Sequence, residues 1–191
     1  MAATYFTDAG TFLIESLFGL YILTIMLRFL FQWLRADFYN PISQFVVKAT
    51  APLLRPLRRW IPGVGGIDMA AVILMLTLQG IEIWVVYVMR GYHPSLGGLL
   101  LSSAAEILRL LVYVFLIAVF ARVIVSWINP DAYNPAIVLL DTLSEPLLGP
   151  ARRLLPPLGG LDLSPVIVLI ALQMVLMLFI APLTDLGHSL L

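Results

Sequence analysis

The sequence predicts an all-α membrane protein with four transmembrane helices, arranged as two parallel, pseudo-symmetric repeats. Its 191 residues are 61% hydrophobic and 12% charged, whereas soluble domains average roughly 45–50% apolar and about 25% charged residues. Four apolar stretches are long enough to cross a hydrocarbon core of about 30 Å, which needs roughly 20 helical residues. The two halves of the chain also align with each other without a gap, with matches at many characteristic positions.

Charge and cysteine content exclude several classes of function. Eleven basic and eleven acidic residues leave a net charge of zero, so no basic field indicates nucleic-acid binding. The chain has no cysteine, which excludes disulfides, thiolate catalysis and thiolate-bound zinc or iron–sulfur clusters.

The predicted spans cover approximately residues 11–33, 69–88, 107–128 and 166–183. The first ten residues lack the basic region of a cleavable signal peptide, so the first span is expected to stay in the protein as signal and anchor.

Orientation follows from the basic residues of the short loops, because cytoplasmic loops carry the excess of Lys and Arg. The head, the tail and the outer linker after Arg90 contain neither. The loops after the first and third spans hold Arg35, Lys48, Arg55, Arg58 and Arg59, and Arg152 and Arg153. Both termini are therefore predicted to lie outside the cytoplasm.

An internal repeat divides the chain into residues 1–93 and 94–191. Without a gap, Tyr39-Asn40-Pro41 aligns with Tyr133-Asn134-Pro135, and Arg58-Arg59 aligns with Arg152-Arg153. Each half contributes two spans, an even number, so both copies enter the membrane from the same side and the repeat is parallel.

The matched loops, residues 37–66 and 131–160, are predicted to hold short amphipathic helices at the membrane surface. Asn40 suits the N-cap and Pro41 the first helical position. A helix of about ten residues with apolar side chains on one face is too short to span the membrane and is expected to lie at its surface. Pro52 and Pro56 are expected to end the first of these helices in a rigid corner. Beyond the corner, basic side chains are predicted to contact anionic lipid headgroups, namely Arg58, Arg59, Arg152 and Arg153.

Two arginines within the spans have two interpretations. Arg28 and Arg122 lie about 7.5 Å inward from the tryptophans that end their spans. Each could act as an orientation anchor that snorkels to the surface. The alternative is a buried ion pair that fixes the loop to the helix ends, between Arg28 and Asp37 or Asp68 in the first copy, and between Arg122 and Asp131 or Asp162 in the second.

The other end of the spans carries a second candidate cluster. The repeat register makes Glu15 equivalent to Arg109, and Glu82 falls at a similar depth. We expect these three to form an outer-leaflet charge cluster between the halves, because an intramembrane charge costs about 2.5–3.5 kcal/mol on insertion scales. It serves either to join the halves or to provide polar access for an ion or proton.

Enzyme and metal sites lack support. His93 and His188 are the only histidines and have no second ligand at metal-binding spacing. Nucleophile elbows, phosphate loops and zinc-protease motifs are missing from the sequence. No enzymatic activity, cofactor or metal is therefore predicted.

The combined loop motif resembles the YggT family of bacterial inner-membrane proteins. The resemblance rests on residues 37–48, Pro56-Leu57-Arg58-Arg59, Ile61-Pro62 and Gly66-Ile67-Asp68, and on their second copy, which departs at Asn129-Pro130 and in the acidic Asp141 and Glu145. The family is associated with osmotic or ionic stress tolerance and potassium uptake. Its plastid relatives are linked to assembly of cytochrome complexes and to nucleoid organisation. The resemblance implies the bacterial inner membrane. Combined with the orientation predicted from the basic loops, this places both termini in the periplasm.

Two classes of function follow. The first is a non-enzymatic organiser or accessory factor that supports an unidentified membrane-protein partner. The second is an ion-handling protein, either an oligomeric channel or a regulator of potassium uptake. Small residues at Gly10, Ser16 and Gly19 leave a homo-oligomer open.

Overall fold

The computed structural model describes residues 2–129, 133–154 and 162–191, and this part of the chain is helical without a strand. The helices are α1 (Ala2–Trp33), α2 (Pro41–Trp60), α3 (Met69–Met89), α4 (Leu96–Ile128), α5 (Pro135–Leu154), α6 (Ser164–Val175) and α7 (Ala181–Leu190), with a π-helical turn, Leu176–Ile180, between the last two. Four helical stretches are long and apolar enough to span a membrane: Tyr5–Trp33, Met69–Met89, Leu96–Ile128 and Ser164–Leu190. The predicted fold class is confirmed.

The third span is longer than predicted. It begins at Leu96 rather than near Ile107, because the Ser95 hydroxyl caps the helix by accepting the Gly98 amide at 3.0 Å. Much of the stretch expected to be an outer linker is therefore the first three turns of α4.

The interfacial helices are also longer than predicted, and the expected break at Pro52 and Pro56 is wrong. Helix α2 runs through both prolines to Trp60, and α5 runs through Pro146 and Pro150 to Leu154. A proline inside a helix removes one backbone hydrogen bond. Here the middle residue of the three between each pair of prolines is a core leucine, Leu54 at 0% and Leu148 at 1% exposure. Its burial favours continuing the helix.

The turn that leads from α2 back into the membrane forms where the glycine pair predicts it. Gly65 and Gly66 both have positive φ, 61° and 85°, which glycine adopts without steric cost. Val64 and Ile67 pair across the turn through two backbone hydrogen bonds of 3.1 and 2.9 Å. Asp68 then caps α3 by accepting the Ala71 amide.

The two repeats run in the same direction, as predicted. The Asn40 side chain donates to the Pro135 carbonyl at 2.7 Å, so α1 and α4 both end at the side of the bundle that carries α2 and α5, here called the interfacial end. At the opposite side, the Ser95 hydroxyl donates to the Leu190 carbonyl at 2.6 Å. The N-terminus of α1 also lies on this opposite side, here called the terminal end.

Helix α4 lies at the centre of the bundle and packs against α3, α5, α6 and α7. Its closest approach is to α7. A Cβ atom added to Gly187 would lie 3.0 Å from the Ser102 backbone, and one added to Gly98 would lie 2.7 Å from the Leu190 backbone. Such spacing is typical of small residues at transmembrane helix contacts.

The interior of the bundle is apolar at the level of the first repeat. Its largest fully buried side chains come from α1, α2 and α3, and neighbouring buried residues of α4 and α5 extend the same core. Members with at most 2% exposure are Ile22, Ile25, Met26, Leu30, Leu54, Ala70, Ala71, Met75 and Ala118.

Candidate functional site

Arg28 is buried at the interfacial end and holds α2 through neutral groups. It is 8% exposed. One guanidinium nitrogen, Nη1, donates to the Thr50 hydroxyl at 2.7 Å and to the Val47 carbonyl at 3.1 Å. The predicted ion pair with Asp37 or Asp68 is therefore wrong, and a side chain this buried is not a snorkelling anchor. Arg28 instead joins the first span to the interfacial helix.

Asp68 has a different arginine as its partner. Arg58 of α2 donates through Nε to the Asp68 carboxylate at 3.1 Å and forms an ion pair with it through Nη2. Arg58 also donates to the Gln32 side chain at 2.8 Å. The loop is thus fixed to the helix ends as expected, but by the residue that we predicted to contact lipid. Asp37 is exposed and accepts the Tyr39 amide at 2.9 Å.

The same ends of the first repeat enclose a cavity of about 190 Å³. Just after α1, Arg35 lies in the left-handed region at φ 54°, and the Ala36 amide donates to the Phe31 carbonyl at 2.8 Å. This turn brings Ala36 and Phe38 to the cavity wall. The cavity is lined by Arg28, Phe31, Gln32, Ala36, Phe38, Ser43, Val47 and Arg58.

The second repeat places acidic side chains at the equivalent level. Arg122 forms an ion pair with Asp141 of α5. Arg152 bridges Asp162 and Glu145, each at 3.0 Å. The predicted pairing of Arg122 with Asp162 is thus wrong, because Arg122 pairs with Asp141 and Asp162 pairs with Arg152. Asp131 lies outside the described residues.

Asp162 is the counterpart of Asp68 and binds in a related way. Its Oδ1 accepts the Ser164 amide at 2.9 Å and the Ser164 hydroxyl at 2.5 Å. Burial raises the pKa of Asp162, but the hydrogen bonds from Ser164 and from the Arg152 guanidinium outweigh it and hold the pKa below its ordinary value.

At the terminal end, the predicted outer-leaflet cluster forms only in part. Arg109 pairs with Glu106 at 3.0 Å and donates to the Thr184 hydroxyl of α7 at 2.9 Å, so its expected pairing with Glu15 or Glu82 is wrong. Glu82 accepts from Gln79 at 3.1 Å. Glu15 and Glu106 are close enough to Glu82 to interact with it electrostatically. The cluster thus contains three carboxylates, from Glu15, Glu82 and Glu106, and one guanidinium group, that of Arg109.

The remaining predicted lipid contacts, Arg59 and Arg153, are exposed at the ends of α2 and α5. Their contact with headgroups stays a prediction. The described residues contain no group of three potential metal ligands.

Sequence reasoning missed Thr50, Gln32 and Ser43, whose roles depend on how α2 lies against α1. A usable signal was nevertheless present in the repeat register. Val47 is equivalent to Asp141 and Ala51 to Glu145, and both acids pair with the arginines of their own repeat.

Comparison with known proteins agrees with this architecture. A profile of the CCB3/YggT family matches residues 7–89 and again residues 101–183. The chain belongs to the CCB3/YggT family. The two YggT segments are offset by the same interval as the internal repeat, which confirms the duplication.

The relatives are similar over most of their length. An uncharacterised protein of Pseudomonas aeruginosa is 46% identical over 176 residues, which cover 90% of this chain and 88% of that protein. An uncharacterised Vibrio alginolyticus protein is 42% identical, with 87% and 90% covered. The Escherichia coli protein YggT, also uncharacterised, is 38% identical, with 86% of each chain covered. No solved structure matches the chain.

Proposed function

We propose that this YggT-family protein is a non-enzymatic organiser of the bacterial inner membrane, an accessory factor that supports a membrane-protein partner from the cytoplasmic surface. The observation that supports the proposal best is the pair of interfacial helices. Helices α2 and α5 lie at the same end of the bundle, touch each other, and each form an ion pair between an arginine and an aspartate at the start of the next span. Together they form one surface at the interfacial end.

That surface carries the chemistry of a docking platform at a bilayer. Helix α2 exposes Lys48, Arg55 and Arg59. Large aromatic side chains are exposed in and beside both helices, namely Phe38, Tyr39, Phe45, Trp60, Trp127 and Tyr133. Aromatic rings favour the headgroup level and basic residues favour anionic lipid. Both features support a cytoplasmic, membrane-bound position for the platform, with the termini in the periplasm.

The organiser proposal is tested by changing exposed charges on α2 that do not contribute to the buried core. In a strain that lacks the native gene, the double charge reversal Arg55→Glu and Arg59→Glu should lower the amount of one or more membrane complexes on native gels, as full deletion does. The matched control is Arg90→Glu, which reverses a charge in the linker between α3 and α4. A deletion strain with unchanged complexes would contradict the proposal.

The alternative function, ion handling within an oligomer or by regulation of potassium uptake, is favoured by the carboxylates Glu15, Glu82 and Glu106 at the terminal end. The apolar core described above closes the interior of one copy, so a path would have to form between copies. Potassium flux into liposomes that contain the purified protein tests this. Flux that Glu82→Gln abolishes would favour ion handling over the organiser role.

A further inference from the structure

The cavity at the interfacial end of the first repeat has the properties of a ligand site rather than a packing defect. Its volume of about 190 Å³ far exceeds the roughly 10–15 Å³ that one water needs. Its wall combines two guanidinium groups, from Arg28 and Arg58, with the polar side chains of Gln32 and Ser43. The cavity is partly open to the surface, and these polar groups in its wall can bind a polar ligand that enters from there.

Ser43 supplies an independent observation that points to a ligand. Its residue is 4% exposed, and its hydroxyl oxygen has no hydrogen-bond partner within the described part of the chain. A buried hydroxyl without a partner costs about 1–3 kcal/mol. Ser43 also lies in the first turn of α2, where the helix dipole favours an anion. A bound anion would satisfy the hydroxyl as an acceptor.

Charge balance gives the sign of the ligand. Within the described chain, Arg28 has neutral partners only, Thr50 and Val47. Arg58 pairs with the Asp68 carboxylate. Arg58, Asp68 and Arg55 are all within electrostatic range of Arg28, so three guanidinium groups meet one carboxylate there. The cavity therefore carries an excess of positive charge beside a low-dielectric interior, where an unpaired charge is unfavourable.

In the second repeat, carboxylates of the protein itself neutralise the equivalent arginines. Asp141 stands at the position of Val47 and pairs with Arg122, the equivalent of Arg28. Glu145 stands at the position of Ala51 and pairs with Arg152, the equivalent of Arg58. The second copy carries built-in carboxylates where the first copy has apolar side chains and a cavity.

We infer that the first-repeat cavity binds the phosphate group of an anionic ligand, with Arg28, Arg58 and Ser43 as its donors. Guanidinium forks match the geometry of phosphate oxygens. Arg28 comes from α1, whereas Arg58 and the Ser43 hydroxyl come from α2. The phosphate is either that of a lipid headgroup or a free phosphate ion. The cavity lies at the interfacial end, and Gln32, Phe38 and Arg58 of its lining are exposed, so it is open to either source.

The test measures binding to full-length protein purified in an uncharged detergent. One arm adds inorganic phosphate and the other adds phosphatidic acid, each against a phosphatidylcholine blank, with the thermal unfolding midpoint as the readout. We expect the midpoint to rise in at least one arm. A rise with phosphate identifies a free anion as sufficient, whereas a rise with phosphatidic acid alone identifies a headgroup site.

Variants locate the site. Val47→Asp copies the acid that the second repeat already carries beside its arginine, so it should fold and weaken the apparent Kd at least tenfold. Val47→Asn, the uncharged isostere of that change, should retain binding within about threefold, and Ser43→Ala should weaken it. Arg90→Gln removes one exposed charge in the linker between α3 and α4, at the terminal end, and should leave binding unchanged. Equal binding by Val47→Asp and the native protein, or no midpoint rise in either arm, would overturn the inference.

Discussion

The burial of Asp68 determines how much its partner, Arg58, contributes to the stability of the fold. Its side chain is 6% exposed, while that of Arg58 is 35% exposed. Removing Arg58 would leave the carboxylate buried without its main donor, which is more costly than losing a surface ion pair.

The first prediction concerns this pair. Arg58→Gln should lower the free energy of unfolding by about 2 kcal/mol, a value reduced from that of a fully buried pair because Arg58 is partly exposed. The thermal midpoint in detergent should then fall by about 4–8 °C. Arg59→Gln is the neighbouring control and, as a surface substitution, should change the free energy of unfolding by no more than a few tenths of a kcal/mol. Equal effects of both variants would contradict the assignment.

The second prediction is a pH dependence at Asp162. Its folded-state pKa is lower than its ordinary value, because the hydrogen bonds and the Arg152 charge together outweigh burial. The unfolded state therefore binds more protons between the two pKa values, and the stabilisation is present above the unfolded pKa of about 3.9 and lost as pH falls through the folded pKa. The midpoint difference between native protein and Asp162→Asn should be clear at pH 7 and should shrink below about pH 4. A difference that grows toward acid would contradict this.

Among the elements, α4 and α7 depend on glycine for their close contact. A methyl group at position 187 would meet the Ser102 backbone at 3.0 Å and its hydroxyl oxygen at 2.5 Å, whereas one at position 97 would meet nothing within 4 Å. Position 97 thus provides a control on the same helix pair.

The third prediction uses that contrast. Gly187→Ala should destabilise the bundle by about 1–3 kcal/mol, because the helices must separate to admit the methyl group. Gly97→Ala should be neutral or stabilising, since alanine is the better helix former. Thermal unfolding followed by circular dichroism measures both. A stabilising Gly187→Ala would mean that α7 does not pack on α4 as described.

Sequence reasoning succeeded for elements whose signal is local and failed where packing decides. The spans, the Asn40 and Asp68 caps and the Gly65-Gly66 turn follow from hydrophobic length and backbone preferences near each residue. The prolines of α2 predicted a break, but Leu54 between them is buried in the bundle. Likewise, the sequence placed Arg28 near Asp68, yet which arginine reaches the carboxylate depends on the position of α2 against α1.

At the scale of the whole molecule, the repeats are joined at the interfacial end by an asymmetric contact. Asn40 and Asn134 are equivalent N-caps, each accepting a backbone amide at 2.9 Å. Asn40, which is 5% exposed, also donates across the repeat boundary to the Pro135 carbonyl. In the part of the chain that the structure describes, Asn134 therefore only caps its helix, whereas Asn40 caps its helix and also bonds to the other repeat.

The fourth prediction follows from this comparison. Asn40→Asp keeps an oxygen acceptor for the cap but replaces the donor to the Pro135 carbonyl with a buried negative charge. It should lower the free energy of unfolding by about 1–3 kcal/mol. Asn134→Asp keeps its cap, and its effect should be smaller by at least half. Chemical unfolding of both variants in the same detergent provides the measurement, and equal losses would argue against a cross-repeat bond.

The central claim is that two parallel hairpins place α2 and α5 at the cytoplasmic face of the membrane. The chain has no cysteine, so single cysteines at Lys48 on α2, Arg153 on α5 and His93 in the outer linker can report sidedness with a membrane-impermeant maleimide. In cells with a permeabilised outer membrane, we predict that His93→Cys is labelled at once, while Lys48→Cys and Arg153→Cys are labelled only after the inner membrane is opened. Labelling of Lys48→Cys and Arg153→Cys from opposite sides of the membrane would contradict the parallel repeat.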